Sequence, residues 1–185
     1  HRKTPLIKGW SDKASRDEDQ IDLWWIEHPY AQIGIKTGKA SNLFVVDIDE
    51  KNGKSGITSI RNKYPEAAFD PDNQLIAMTP SGGMHLYYLW DDSLPVTNAV
   101  NIIDGVDLRG NGGLIIAPPS RVKTADGSYG NYKWCNENAP LTPPPNWVRD
   151  LVSKKQDQPS GTPKTKDVDL KAFIKGIPQG ERDAS

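Results

Sequence analysis

Cysteine, histidine and long apolar runs are all scarce in this chain, and so is an excess of either charge. Cys135 is the single cysteine among 185 residues, so no disulfide can form within the chain. A cysteine-based zinc site is excluded as well, because the remaining soft or nitrogen ligands are His1, His28 and His85. No apolar stretch approaches the ~20 residues that cross a bilayer, and no secretory leader is visible. The expected setting is a reducing cytoplasm with no membrane partner. Basic residues number 23 and acidic ones 24, a formal net charge of −1. So balanced a chain has no global field for polyanions, and any affinity for nucleic acid must come from a local basic surface and be modest and salt-sensitive. The first residue is His1 rather than Met, so a natural start upstream is expected.

Hydrophobic residues make up 36% and charged residues 25% of the chain, ordinary values for a domain with a packed core. The length fits one domain with a short appendage. Ser15 followed by Glu18 reads as a capping box. It opens a helix at about 16–28, with Ile21, Trp24, Trp25 and His28 at helical spacing and Pro29 as its stop. Ile33–Thr37 and Leu43–Asp49 read as strands. Asn52-Gly53 turns the chain into a helix from Ser55 to Tyr64. Leu75–Thr79 and Met84–Trp90 flank Pro80-Ser81-Gly82-Gly83 as a hairpin, and Val106–Arg109 with Leu114–Ala117 reads as a second hairpin around Gly110–Gly113. Tyr129–Trp134 reads as a further strand and Trp147–Val152 as one or two helical turns. Beyond the proline cluster at 143–145, the polar stretch Lys154–Lys166 reads as a linker and Asp169–Lys175 as a short helix.

Three segments carry the chemistry. In a strand side chains alternate faces, so Asp47 and Asp49 point the same way while Val46 and Ile48 point the other. Two carboxylates so close repel unless a cation lies between them, and Mg²⁺ takes such oxygen ligands together with substrate phosphates. The plainer reading is an acidic pair facing water. Glu50 falls on the opposite face and is expected to be solvated. The small residues Ser81, Gly82 and Gly83 leave backbone N–H groups that could cradle phosphate. His85 follows at the start of a strand, suited to donate to a phosphate oxygen or move a proton. A core-edge histidine beside Tyr87 is the alternative. Asp107 and Arg109 share a face by the same parity, either as a metal ligand and a bidentate phosphate clamp or as a structural ion pair. Pro118-Pro119-Ser120 is either a pocket-lining loop or a strand terminator.

Together these segments resemble the archaeo-eukaryotic primase superfamily, in particular its bifunctional primase/polymerase N-terminal domain. The resemblance rests on Asp47-Ile48-Asp49, Ser81-Gly82-Gly83-Met84-His85, Asp107-Leu108-Arg109-Gly110-Asn111-Gly112-Gly113 and Pro118-Pro119-Ser120, in order and spacing. Lys3-Thr4-Pro5, Gly9-Trp10, Trp24-Trp25 and Gly34-Ile35-Lys36-Thr37-Gly38 add to it. It implies an α/β (α+β) catalytic core over residues 1–150, with a sheet related to the RNA-recognition motif and a small N-terminal α/β part. A linker at 151–168 and the start of a truncated C-terminal helical domain at 169–185 follow. It also implies Asp47, Asp49 and Asp107 as ligands of Mg²⁺ or Mn²⁺, and His85 with Ser81, Gly82 and Gly83 at the triphosphate. Lys36, Thr37, Gly38 and Ser41 line the nucleotide pocket in this reading, and Arg109 is added by strand parity.

The function expected from the resemblance is DNA-directed primer synthesis and extension from NTP or dNTP in plasmid, phage or mobile-element replication, inside a bacterial or archaeal cell. Template, primer, the helical domain and a helicase are the expected partners. Two rivals use the same residues differently: a non-catalytic single-strand or origin-binding module, with Trp24, Trp25 or Trp134 stacking on bases, and a metal-dependent nuclease.

Overall fold

A computed structural model describes residues 4–50, 53, 55–124 and 126–156. Two helices come first, α1 (Trp10–Lys13) and α2 (Glu18–Glu27), followed by β1 (Gly34–Lys36), β2 (Leu43–Ile48) and α3 (Gly56–Lys63). Then come β3 (Ile76–Met78), β4 (Met84–Leu89), β5 (Ala99–Ile103), β6 (Val106–Arg109), β7 (Leu114–Ile116), β8 (Arg121–Lys123), β9 (Tyr129–Asn131), β10 (Lys133–Trp134) and α4 (Asn146–Gln156). The fold is mixed α+β. Its centre is a six-stranded sheet in the order β10-β3-β4-β2-β6-β5, and every neighbouring pair in it is antiparallel. Two ribbons, β1 with β7 and β8 with β9, complete the strands among the described residues.

Strand β2 lies at the middle because nearly all of its residues are apolar, so it can be covered on both faces. One face sends Phe44, Val46 and Ile48 into the main core with Leu86 and Tyr88 of β4 and Leu108 of β6. Ile60 from α3, Tyr64 at its C-cap, and Trp147, Val148, Leu151 and Val152 from α4 close over them. The opposite face carries Val45, Ala77 and Tyr87, covered at one end by Ile115 of β7 with Ile35 and Trp134. The other end of that face is polar and holds the candidate site.

Several sequence expectations change. The cap of α2 is Asp17, whose carboxylate accepts from the Gln20 N–H at 2.9 Å. Ser15 Oγ accepts instead from the Asp17 N–H, so the expected Ser15–Glu18 box does not form. Strands β6 and β7 are not a hairpin: β6 pairs with β2 and β5, while β7 crosses to β1. Strand β5 is an addition to the elements expected from sequence: Val100, Ile102 and Ile103 are strand formers, but Asn101 interrupts them and a bulge breaks the pairing with β6. The strand expected at Tyr129–Trp134 divides into β9 and β10, which serve different sheets.

Glu50 is half-buried rather than solvated, because its carboxylate accepts from the Ile57 N–H at 2.8 Å and caps the start of α3. Helix α4 continues to Gln156, beyond the turns expected at Trp147–Val152, and the expectations for Asn52 and for 157–185 lie outside the described residues. The helix matters for packing, since Leu151 and Val152 are each 2% exposed. Leu151→Ala is expected to lower unfolding free energy by about 2–5 kcal/mol in urea titration, the usual range for truncating a core leucine.

Candidate functional site

The polar end of the open face is organised by strand register. Asp47 on β2 is directly opposite His85 on β4 and Asp107 on β6. Three strands therefore place a histidine and two carboxylates in one transverse row, on the face away from α3 and α4. Val45 is opposite Tyr87 and Arg109 one step along the same face. Arg109 reaches back to the row: its Nη2 donates to Asp47 Oδ2 at 3.0 Å and to Asp107 Oδ2 at 2.8 Å. On the other side of Asp47, His85 Nε2 is 3.4 Å from Oδ1. Asp107 Oδ1 accepts the backbone N–H of Asn101 at 2.7 Å. Asn101 is in the left-handed region at φ 53°, within the irregular stretch of β5, and the bulge thereby aims its N–H at the carboxylate.

The row is buried, with Asp47 9%, His85 3% and Asp107 5% exposed. Burial by itself would raise the Asp47 pKa. The hydrogen bond and charge of His85, followed by the charge and hydrogen bond of Arg109, outweigh it and hold the group at about 2. Burial pushes the Tyr87 phenol up, and the Asp47 charge adds to that shift. His85 Nδ1 and the Tyr87 hydroxyl are buried and make no hydrogen bond among the described residues. The His85 ring packs against Tyr132, with centroids 5.4 Å apart.

A family model, Prim-Pol, the bifunctional DNA primase/polymerase N-terminal domain, matches residues 1–147. The chain belongs to this family. No curated protein matches it. The matched region takes in the whole Prim-Pol sheet and the row of acids, and it ends at the second residue of α4.

The motif turn of this Prim-Pol domain joins β3 to β4. The Thr79 N–H donates to the Gly83 carbonyl at 2.9 Å, the Gly82 N–H donates to the Thr79 carbonyl at 3.1 Å, and Gly82 takes φ 85°. That is a three-residue connection closed by a left-handed glycine. The Gly82 N–H is thus spent inside the turn and is not offered to a phosphate. Gly83 has a different reason to be glycine: a Cβ there would sit 2.1 Å from the Ile48 carbonyl oxygen, so the turn presses on the end of β2 just before Asp49. Ser81 Oγ is 3.2 Å from Thr79 Oγ1.

The remaining expected residues are placed less directly. Asp49 is half-buried one residue beyond β2, with its N–H on the Gly105 carbonyl at 2.7 Å. Lys36 Nζ donates to the Ser11 carbonyl at 2.5 Å, toward α1 rather than the row. The Thr37 hydroxyl donates to the Gly110 carbonyl at 2.7 Å and its N–H to the Gly113 carbonyl at 3.0 Å, so Thr37 secures the loop that follows Arg109. Gly38 packs on Asn111 of the same loop, and the Ser41 N–H closes a local turn onto the Gly38 carbonyl. In Pro118-Pro119-Ser120, Ser120 Oγ accepts the Ile33 N–H at 2.9 Å and ties the N-terminal segment down.

Asn101 and Tyr132 touch the row and escaped sequence reading. Asn101 acts through its backbone, which leaves no side-chain signature. Tyr132 could have been found only from the non-local pairing of β10 with β3, which carries the preceding residue toward His85.

Among the described residues, no three His, Cys, Asp or Glu side chains stand together as a metal-holding group. The donor chemistry nevertheless fits a hard divalent ion. Asp47 and Asp107 are carboxylates in direct register that already share one cation, the Arg109 guanidinium.

The pH dependence follows from the lowered Asp47 pKa. A carboxylate held below its ordinary value of 3.8 stabilises the fold above that value, and the stabilisation is lost as pH falls through about 2. The difference in unfolding free energy between the native chain and Asp47→Asn is expected to shrink by about 2 kcal/mol between pH 5 and pH 2, read by urea titration at each pH.

Proposed function

We propose that this Prim-Pol domain is a DNA-directed nucleotidyltransferase that makes and extends primers. The observation that carries the reading is the row of Asp47, His85 and Asp107 in direct register on the open face of the sheet. An antiparallel sheet with helices on one face and chemistry on the other agrees with the expected relation to the RNA-recognition motif. Asp47, Asp49 and Asp107 are the residues suited to hold Mg²⁺ or Mn²⁺. The bound ion supplies activation of the attacking hydroxyl and charge neutralisation at the departing pyrophosphate.

In the transfer, the oxygen of a 3′-hydroxyl, or of the first nucleotide's hydroxyl, bonds to the α-phosphorus of a nucleoside triphosphate. The bond from that phosphorus to the bridging oxygen breaks, pyrophosphate leaves with its electron pair, and the hydroxyl proton is lost to water. His85 is oriented by Asp47 through Nε2 and is the side chain for a triphosphate oxygen in this reading. Ser81, Gly82 and Gly83 join it there as nucleotide-binding residues. Arg109 holds the two acids together in the metal-free protein and suits bidentate binding of a phosphate once they take an ion instead. Thr37 and Gly38 serve this site through the loop after Arg109, and Lys36 and Ser41 complete the nucleotide-binding set in this reading. Template and primer strands, NTP or dNTP, a downstream helical domain and a helicase are the partners in this reading, in plasmid, phage or mobile-element replication.

Primer extension with Mg²⁺ or Mn²⁺, run beside a lane without primer, tests the reading. Asp47→Ala/Asp49→Ala is expected to reduce product at least about a hundredfold while circular dichroism stays unchanged. Full synthesis by this variant would remove the acids from the mechanism. Shortening of the labelled strand without nucleotides would indicate a nuclease. Strand binding with no product from the folded native chain would indicate a binding module.

A further inference from the structure

The β8–β9 ribbon falls within the residues matched to the family but carries none of the acids or the histidine of the row, and it packs on the motif turn. Its register pairs Arg121 with Asn131 and Lys123 with Tyr129, and all four are exposed. Val122 and Gly130 form the inward face. Gly130 is pressed on the motif turn, since a Cβ there would lie 2.6 Å from Pro80 Cβ. The Arg121 N–H donates to Gln32 Oε1. The next residue after the ribbon, Tyr132, is 3% exposed and packs on His85, and Lys133 then emerges on the surface. A cleft of about 480 Å³ runs between the ribbon and the turn, lined by Thr79, Pro80, Arg121, Tyr129, Asn131 and Lys133.

We propose that this outward face, Arg121, Lys123, Tyr129 and Lys133, is a binding surface for a single-stranded nucleic acid that leads it to the acid row. The inference rests on the strand-extending reading above for its direction, but the binding itself needs neither metal nor nucleotide. The chain as a whole is near neutral, so two cations on the ribbon, Arg121 and Lys123, with Lys133 just beyond it at the start of β10, are a local basic surface of the kind that polyanion binding requires. The ribbon's acid, Asp126, is engaged inside the turn by the Thr124 and Ser128 hydroxyls at 2.5 and 2.8 Å.

Tyr129 is 50% exposed and has the Arg121 guanidinium 4.9 Å from its ring centroid. An aromatic ring among cations is the combination that stacks a base while neighbouring charges hold its phosphates. Same-face residues on a strand are ~7 Å apart and residues 129 to 133 span ~13 Å. That reach exceeds one nucleotide, which favours a strand over a lone triphosphate.

Polarisation of a short labelled single-stranded oligonucleotide, in chelator and without nucleotides, tests the proposal on the full chain. Arg121→Gln/Lys133→Gln is expected to weaken binding about tenfold or more and to flatten the slope of log K against log salt by about 1.4, at ~0.7 for each of two cations on a single strand. Tyr129→Ala is expected to weaken binding at least about fivefold, and Tyr129→Phe to restore it. Native affinity and salt slope in both the charge pair and Tyr129→Ala overturn the proposal. So does a raised KM for nucleotide with unchanged strand affinity, which would assign the cleft to the triphosphate.

Synthesis is a separate readout. Product from the native chain with ribbon variants that bind and extend normally rejects the surface and keeps the transfer reading. Ribbon-dependent binding with no product keeps the surface and rejects the transfer reading. Should the charge pair unfold, Lys133→Glu and Tyr129→Phe against Tyr129→Ala give the same discrimination.

Discussion

Two like charges directly opposite each other on neighbouring strands repel, and this chain buries such a pair at the centre of its sheet. Asp47 and Asp107 share one register position, both almost out of water. The arrangement stands because an arginine bridges it and a histidine flanks it. Arg109 bridges the two carboxylates and His85 contacts the far oxygen of Asp47. Removing either partner from such a buried cluster leaves a charge uncompensated, which is far costlier than the loss of an exposed pair. The site is therefore held together by the electrostatics that also suit it to a divalent ion.

Everything around the row keeps this register in place. Alternation along β2 divides the strand cleanly: Phe44, Val46 and Ile48 fasten it to α3 and α4, while Val45 and Asp47 face the open side. A slip of one residue would bury the acids under the helices and expose the core, so hydrophobic burial fixes the position of the charge. Close backbone contacts finish the job at the end of β2, where Gly83 meets the Ile48 carbonyl. Thr37 and the bulge at Asn101 do the same for β6, one holding the loop after Arg109 and the other capping Asp107.

The parts of this fold that were legible in sequence are those governed by local rules. Parity put Asp107 and Arg109 on one face, and their 2.8 Å contact follows from it. Apolar run and turn residues marked β2, α3 and the β3–β4 hairpin. What local rules miss is pairing between distant segments. Gly110–Gly113 looks like a hairpin turn, but Thr37 takes the Gly110 and Gly113 carbonyls and β7 leaves for β1. Asp17 outcompeted Ser15 as helix cap because both are good caps two residues apart. The meeting of Asp47 with His85 and Asp107 is likewise non-local: composition and spacing suggested a shared site, and the strand order β4-β2-β6 supplies the register.

The acid row is proposed as the metal-binding centre of this Prim-Pol domain. The most direct measurement is a titration of Mn²⁺ by electron paramagnetic resonance, in the presence of a nucleoside triphosphate, for the native chain and for Asp107→Asn. Saturable binding in the native chain that weakens at least about tenfold in the variant is the result expected. Equal binding by both would contradict the claim and leave the row a structural ion cluster.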